Sequence, residues 1–462
     1  MAIRTPAQQH PLAAILSLFI ALSLFLTYRS LVVGNAPEAD VNKAELIFLP
    51  PDLWQRQELQ ASHVVTIPYA ISVTSCDKRD LVVGGAAVLQ HSIHLNSIRT
   101  PSSGSRYDYE MVAFVHPDAV ECTDILDALN YKVLIKQEPF QTDQIRGEYW
   151  RWANRTGCCG VKEWLKLYSY TLTQYPVVVH LDLDCVVLKP LDDLFDAMIV
   201  TTTPRDSTVK DIASTRSRIP AMWVNTTDLP ETIDFFFTRD YGMVQDLGKR
   251  PVHKMGVQGG FLVLRPNRTV FQEFIDIILE GNYTEARGWG GKLGYGGYYG
   301  AGTIQGLASM YYGHLHPERA VELNRCLYNN MADSPYPKKY AKPEFFNETP
   351  YPCLTLQDTC EDCRETHFKD IFSIHLTNCF KPWKCVAPSA VHPVCGQHFY
   401  EWYRMRYLVE AKWRGREIHV PRISVGSGTT IQNISFGFCR GHGPESYRPI
   451  ELTIKSSNVE SN

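Results

Sequence analysis

The sequence predicts an α/β protein with a mostly parallel central sheet. Short apolar runs alternate with segments whose apolar residues recur at helical spacing. This alternation is typical of a parallel sheet whose two faces are covered by helices. A length of 462 residues and a hydrophobic content of 44% suit one large globular domain with appendages.

The alternation begins after residue 62. Apolar runs predict strands at Tyr69–Thr74, Tyr109–Val115, Tyr131–Ile135 and Val177–Leu181. Helical spacing predicts helices at Gly85–Leu95, around Ile125, Leu126 and Leu129, and at Val161–Leu172. In such sheets ligands bind beyond the carboxyl ends of the strands, so polar residues that follow a strand are the first candidates for a site.

The N-terminus carries a membrane signal. Residues 11–28 contain no formal charge and are dominated by Leu, Ile, Ala and Phe. We expect a retained anchor at residues 11–33, because a run of this length nearly spans a bilayer core. The alternative is a cleaved signal peptide, whose apolar region is usually shorter. Residues 1–10 are then a cytoplasmic tail, and the polar residues 34–62 are a stem.

Glycosylation signals and cysteines favour a lumenal body. Asn-x-Ser/Thr sequences occur at Asn154, Asn225, Asn267, Asn282, Asn347 and Asn433. Thirteen cysteines fit an oxidising compartment, and their odd number leaves at least one without an intrachain partner. The net charge of −3 offers no basic field for nucleic acid, so we expect a small-molecule or glycan partner.

Two aspartates follow the fourth predicted strand. In Leu181-Asp182-Leu183-Asp184 the period of two places both carboxylates on one face where the strand ends. Carboxylates there can hold Mn²⁺ or Mg²⁺ while a diphosphate supplies further oxygens. A pair of surface or helix-capping aspartates is the structural alternative. The position directly after an apolar strand favours the metal site.

A second motif lies far downstream. Asp370–His375 reads as a strand that ends in histidine, and Lys381-Pro382-Trp383 follows. The imidazole of His375 suits Mn²⁺ as a third protein ligand. Lys381 lies where a loop could return it to the phosphates as a point charge.

With these motifs the chain resembles the glycogenin-like retaining glycosyltransferases, family eight, over roughly Tyr69 to Trp383. The resemblance implies a Rossmann-like GT-A fold, a UDP-sugar donor and Mn²⁺ held by Asp182, Asp184 and His375. Lys166 resembles the helical lysine that faces the donor. The remaining donor-binding positions that the resemblance implies are Thr74, Ser75, Leu183, Gln258, Gly259, Asn378 and Lys381.

The chain departs from the family pattern on the sugar side. Gln305 lies in a segment resembling Asp-Gln-Gly-Leu, but Ile304 replaces the aspartate and Ala301 replaces an upstream acid. Gln258 and Asn378 stand where the family has an asparagine and a glycine. The resemblance implies a metal-dependent hexosyltransferase with a glycan, protein or lipid acceptor, and the departures keep an inactive nucleotide-sugar-binding scaffold as the alternative.

Gln305 is assigned to the catalytic centre together with Lys166. Its amide oxygen could approach the anomeric carbon, and plain hydrogen bonding to the donor is the favoured form of this role. Residues 281–306 are rich in glycine and aromatic residues. This segment is interpreted either as a cover over the donor or an acceptor, or as a surface loop.

Six cysteines cluster near the second motif. They are Cys353, Cys360, Cys363, Cys379, Cys385 and Cys395. Disulfides are favoured over an imperfect zinc ribbon, and a bridge between Cys379 and Cys385 would hold the Lys381 loop.

We place the catalytic domain at 63–398 and a C-terminal extension, beginning with an aromatic helix, at 399–462. The architecture resembles that of resident Golgi glycosyltransferases. A single-pass type II protein of the Golgi membrane is therefore expected, with the endoplasmic reticulum as the less favoured location.

Overall fold

The computed structural model describes residues 64–77, 79–155, 157, 159–199, 229–243, 254–336, 353–355, 357–386, 393–415 and 431–451. All belong to one compact unit, His63–Asn462. The predicted tail, anchor and stem lie outside the described residues, as do Asn225 and Asn347. Within the described part of the chain, no helix has the length and apolar character needed to span a bilayer.

Eleven strands are described. They are β1 (Thr66–Val73), β2 (Asp108–Val115), β3 (Tyr131–Ile135), β4 (Val178–Leu181), β5 (Cys185–Val187), β6 (Phe235–Arg239), β7 (Val257–Leu264), β8 (Tyr283–Thr284), β9 (Gly288–Trp289), β10 (Ala320–Glu322) and β11 (Ser373–His375).

The α-helices in the described ranges are α1 (Arg79–Ser97), α2 (Thr123–Ala128), α3 (Asp192–Ile199), α4 (Arg268–Glu280), α5 (Ile304–Met310), α6 (Arg325–Tyr328), α7 (Pro393–Trp413) and α8 (Ile431–Ile434). A 3₁₀ helix, Gly160–Thr171, stands where helical spacing predicted a regular helix.

Seven strands form the central sheet in the order β10-β6-β7-β4-β1-β2-β3. The β1–β2, β2–β3, β1–β4 and β6–β10 pairs are parallel, and β7 runs antiparallel to both β4 and β6. The predicted α/β class with a mostly parallel sheet is therefore confirmed. The four strands predicted before residue 182 are present; Tyr131–Ile135 has the predicted bounds, and the ends of the other three shift by at most three residues.

Both faces of the sheet are covered. Side chains on one face of β1, such as Ile67 and Ile71, join a core beneath α1, α2 and α3, whereas Ala70 faces the 3₁₀ helix, α4 and α5. This period of two is the pleat of a strand buried on both sides. The sheet therefore holds the carboxyl ends of its parallel strands on a rigid support.

Disulfides are present, as favoured over a zinc ribbon, but they do not join the two cysteines that flank the Lys381 loop. Cys379 bonds to Cys395 and Cys385 bonds to Cys439, rather than to each other. The other described bridges are Cys76–Cys122, Cys326–Cys363 and Cys353–Cys360. All six cysteines of the predicted cluster are therefore oxidised, which contradicts a zinc ribbon. Among the described cysteines, Cys185 is free and buried.

Candidate active site

The site forms where β4 ends. Asp182 directly follows β4, its backbone N–H donates to Gly260 O at 3.1 Å, and the chain then turns into β5. β5 pairs with β11 so that Cys185 lies opposite His375. This small antiparallel pair brings His375 beside Asp184, although the two residues lie 191 positions apart in the sequence.

Asp182, Asp184 and His375 form one group of potential ligands. One ligand atom from each lies within 4.8 Å of the others. His375 Nε2 is 3.3 Å from Asp184 Oδ2 and 4.0 Å from Asp182 Oδ2. The side chain of Asp182 is 35% exposed, against 2% for His375, so the group opens to solvent at Asp182. Two carboxylates and an imidazole suit Mn²⁺.

Gly260 leaves the space that such an ion requires. A Cβ at this position would lie 2.5 Å from His375 Cε1 and 2.7 Å from Asp182 Oδ2. Only glycine therefore lets β7 pass this close to the ligand group. The donor set and this close backbone approach both fit a divalent metal, which Asp182, Asp184 and His375 would hold.

A lysine faces each carboxylate. Lys381 Nζ contacts Asp184 Oδ2. Lys166 Nζ lies 2.9 Å from Asp182 Oδ1, 3.0 Å from Gly259 O and 3.4 Å from Glu163 Oε2. Both lysines were predicted to face the donor, and the structure brings them to the same group of carboxylates.

The surroundings of Asp182 and Asp184 favour the ionised form of both carboxyl groups. Burial works to raise the pKa of Asp184, but the neighbouring His375 and Lys381 outweigh burial, and the pKa lies below its ordinary value. For Asp182, burial is outweighed by Lys166 and then His375, with the same result for the pKa. Two anionic carboxylates beside two ammonium groups can bind a cation and a polyanion together.

Gln305 lies against Gly259, the residue of β7 that precedes Gly260. It is the second residue of α5, and its Cγ is 3.0 Å from the position of a Cβ on Gly259. Its Nε2 donates to Met243 Sδ at 3.4 Å. Gln305 and Lys166 therefore both lie against the same residue of β7, Gly259.

The other residues predicted to bind the donor form contacts of their own. Thr74 and Ser75 follow β1, which neighbours β4; Ser75 Oγ donates to Asp77 at 2.7 Å. Gln258 folds back, and its Oε1 accepts from the N–H of Gly260 at 2.5 Å.

Leu183 and Asn378 also turn to other partners. Leu183 lies against Gly85 of α1, where an added Cβ would be 3.0 Å from Leu183 Cβ. The side-chain amide of Asn378 donates to Asp333.

Two buried carboxyls near His375 were missed by the sequence reasoning. Asp240 directly follows β6, and burial first, then Asp333, raises the pKa of Asp240 to about 7. Burial likewise raises the pKa of Asp333, whose Oδ2 lies 3.7 Å from Arg325 Nε. The rule that identified Asp182, an acid directly after an apolar strand, does not reach Asp240, because Thr238 and Arg239 separate it from the apolar residues of β6.

Two buried positions near Gln305 in sequence are apolar. Ala301 and Ile304, which replace two acids of the resembled family, are both buried. Ile304 Cγ2 lies 3.3 Å from the position of a Cβ on Gly259. Neither position supplies a carboxylate next to Gln305.

No protein-family model matches the chain, and no curated protein matches it. Several solved structures resemble it, including the following three. Mouse xyloside xylosyltransferase 1 is 14% identical over 68% of this chain and 98% of that chain, with a TM-score of 0.40. The galactosyltransferase LgtC, in complex with donor and acceptor sugar analogues, is 13% identical over 76% and 99%, with a TM-score of 0.36. The glycosyltransferase GlyE of Streptococcus pneumoniae is 13% identical over 78% and 66%, with a TM-score of 0.37.

Proposed function

We propose that the protein is a metal-dependent retaining glycosyltransferase that moves a hexosyl group from a UDP-sugar to a glycan, protein or lipid acceptor. The observation that carries the proposal is the group of Asp182, Asp184 and His375 with Lys166 and Lys381 placed on its carboxylates. The group lies beyond the carboxyl end of β4, at the sheet edge where nucleotides bind in open α/β folds.

The arrangement fits a diphosphate leaving group. When bound, Mn²⁺ would stabilise negative charge that develops on the nucleoside diphosphate. Lys381 Nζ would move from Asp184 to a phosphate oxygen, since a strongly charged polyanion competes with a single carboxylate. Lys166 is held by Asp182, Gly259 O and Glu163, so it would keep its place and its charge.

Gln305 supports the assignment of the sugar position. Its side chain lies between Gly259 and Gly300, because a Cβ on Gly300 would be 2.2 Å from Gln305 Oε1. An amide held this way can hydrogen-bond the hexosyl ring beside the reacting carbon. Hydrogen bonding rather than covalent attack is the role we assign, since an amide oxygen is a weak nucleophile.

We further propose that the protein is a single-pass type II membrane protein of the Golgi. The apolar run at residues 11–33 would be its anchor, and the body would lie in the lumen. Five described disulfides support this, because disulfides persist in the secretory pathway and are rare in the cytosol.

A nucleotide-sugar-binding scaffold is the second candidate. The buried apolar side chains of Ala301 and Ile304 favour it, since the sugar side lacks the two acids that the resembled family places there. A scaffold would bind UDP with Mn²⁺ and release no UDP from any donor.

A donor screen decides between the two. Full-length protein in detergent is incubated with a panel of UDP-sugars and Mn²⁺, and UDP release and UDP binding are measured with and without EDTA. We expect release from at least one donor, and a loss of roughly 100-fold or more in Asp184→Ala. Asp276→Ala, at an exposed position of α4, is the control and should behave like the wild type.

Each outcome has a clear meaning. UDP binding that needs Mn²⁺, without release from any donor, would establish the scaffold. Absence of both binding and release would refute the nucleotide-sugar proposal altogether. Release that survives in Asp184→Ala would remove the metal group from the mechanism.

A further inference from the structure

The loop that carries Lys381 is fixed at both ends by the C-terminal segment, which we define as the described residues 393–415 and 431–451. At one end Cys379 is bonded to Cys395 of α7. At the other end Cys385 is bonded to Cys439, beyond α8. Lys381 lies between the two bridges, and its amine contacts Asp184.

The backbone of this loop is unusual. Phe380 and Cys385 both have positive φ, 65° and 48°, although neither is glycine. Non-glycine residues adopt this region rarely, and they keep it where surrounding contacts determine it. The two positions flank the turn Pro382–Lys384. The backbone conformation that directs Lys381 towards Asp184 therefore depends on contacts with residues outside the loop.

Tyr403 of α7 supplies part of that support. Its buried hydroxyl donates to Pro382 O at 2.6 Å and lies 2.9 Å from Cys439 Sγ. The ring of the preceding residue, Trp402, meets Trp383 edge-on with centroids 6.1 Å apart. One helix thus holds the two residues that directly follow Lys381.

We propose that Tyr403 is a positioning residue for the transferase: with the Cys379–Cys395 and Cys385–Cys439 bridges it holds the Lys381 loop so that the lysine can reach a diphosphate bound beside the group of Asp182, Asp184 and His375. The inference rests on the proposed function. It makes the C-terminal segment part of the donor site rather than an accessory to it.

Loss of the Tyr403 contacts with the Lys381 loop should weaken donor binding more than it disturbs the fold. Most buried apolar residues of the C-terminal segment pack with the Lys381 loop and with Val88, Val186 and Ile374, whereas Val409 and Ile450 join the core beneath α1. Lysine is a point charge on a flexible stem, so its contribution to diphosphate binding depends on where the loop places it.

Tyr403→Phe removes one hydroxyl and tests the proposal in the full-length protein. We expect the Kd of UDP with Mn²⁺ and the KM of the donor to rise about five-fold, as for the loss of one hydrogen bond. The kcat should change less than two-fold, and binding of Mn²⁺ alone should stay the same. Backbone amides of residues 379–385 should exchange hydrogen faster.

Tyr131→Phe is the matched control. The Tyr131 hydroxyl is also buried and donates to a backbone carbonyl, Ala86 O, at 2.8 Å, and Tyr131 belongs to the edge strand β3, which β1 and β2 separate from β4. The control should lose thermal stability to a similar extent and leave the UDP affinity and the exchange of residues 379–385 unchanged.

An unchanged UDP affinity in Tyr403→Phe, or an equal rise in Tyr131→Phe, would overturn the positioning role. Failure of the wild type to bind UDP with Mn²⁺ would instead refute the proposed function. In that case the exchange of residues 379–385 still decides whether Tyr403 fixes the loop, and unchanged exchange would refute the inference.

Discussion

His375 reaches Asp184 through backbone pairing rather than through side-chain attraction. The N–H of Leu376 donates to Asp184 O at 3.0 Å, and β11 fixes the register of the histidine against β5. Because the ligands sit on paired strands, their spacing is set before any ion arrives. Preorganisation of this kind lowers the cost of binding a metal.

Asp240 should make folding stability depend on pH. In the folded protein the pKa of Asp240 is raised to about 7, from an ordinary value of 3.8, first by burial and then by Asp333. Between these values the unfolded chain loses a proton that the folded protein keeps, so this carboxyl lowers stability as pH rises. The effect reaches at most about 4 kcal/mol, since each pKa unit corresponds to about 1.36 kcal/mol.

Asp240→Asn removes the ionisation and keeps the shape. We expect urea unfolding in EDTA to give similar stabilities for variant and wild type at pH 4, with the variant increasingly more stable up to pH 7.5. The exposed Asp276→Asn should show no such divergence. Parallel stability curves for Asp240→Asn and the wild type across this range would contradict the raised pKa.

For single residues, the sequence predicted the site where a potential metal ligand stands at the end of an apolar run. Asp182, Asp184 and His375 each end or follow an apolar run, and they were predicted from that position. The side-chain direction of Gln258 and Asn378 was not predictable, because it depends on hydrogen bonds with Gly260 and Asp333 that form only in the folded chain.

At the element scale, apolar patterning predicted strands but not their direction. β7 is buried along its whole length, as a parallel strand would be, yet it pairs antiparallel on both sides. Burial on both faces produces the same apolar run in either direction. Similarly, the spacing from Val161 to Leu172 predicted a helix without revealing its 3₁₀ geometry.

The glycine-rich segment 281–306 positions Gln305. It forms the β8–β9 hairpin and a 3₁₀ turn, Gly291–Leu293, and Trp289 is fully buried with its Nε1 donating to Ala301 O at 2.8 Å. This order contradicts the interpretation of the segment as an unstructured surface loop. Within the segment, Gly300 lies against the side chain of Gln305.

Gly300→Ala should displace Gln305. Gly300 has φ 75°, and an added Cβ would lie 2.2 Å from Gln305 Oε1. We expect donor turnover to fall roughly 10- to 100-fold, as for a misplacement of about 1 Å, while UDP and Mn²⁺ binding persist. The positive φ should also cost about 1 kcal/mol or more of stability.

Gly294→Ala is the control for Gly300→Ala. It introduces a side chain at a positive φ without a clash against Gln305. Gly294 has φ 79°, but the nearest atom to its added Cβ is Lys254 Nζ at 3.9 Å. This control should lose similar stability and keep its turnover. Equal losses of turnover in the two variants would show that backbone strain, and not the position of Gln305, is responsible.

At the scale of the whole molecule, the C-terminal segment changes how the chain is divided. The sequence placed a boundary after residue 398, because composition shifts there towards aromatic residues. In the structure α7 packs on α1, and two disulfides join the segment to the Lys381 loop. Cysteine spacing cannot reveal such pairings, since it fixes only how many combinations exist.

The proposed topology predicts which asparagines carry glycans. Asn154 and Asn282 are exposed in the structure, whereas Asn267 accepts hydrogen bonds from Thr269 N and Val270 N as the N-cap of α4.

In sealed microsomes we expect the body of the protein to resist added protease and to become sensitive to it after detergent. Glycosidase should increase its gel mobility, and Asn154→Gln and Asn282→Gln should each remove part of that shift, with Asn267→Gln removing less. A body that is digested in intact vesicles and carries no glycan would place it in the cytosol and refute the lumenal topology.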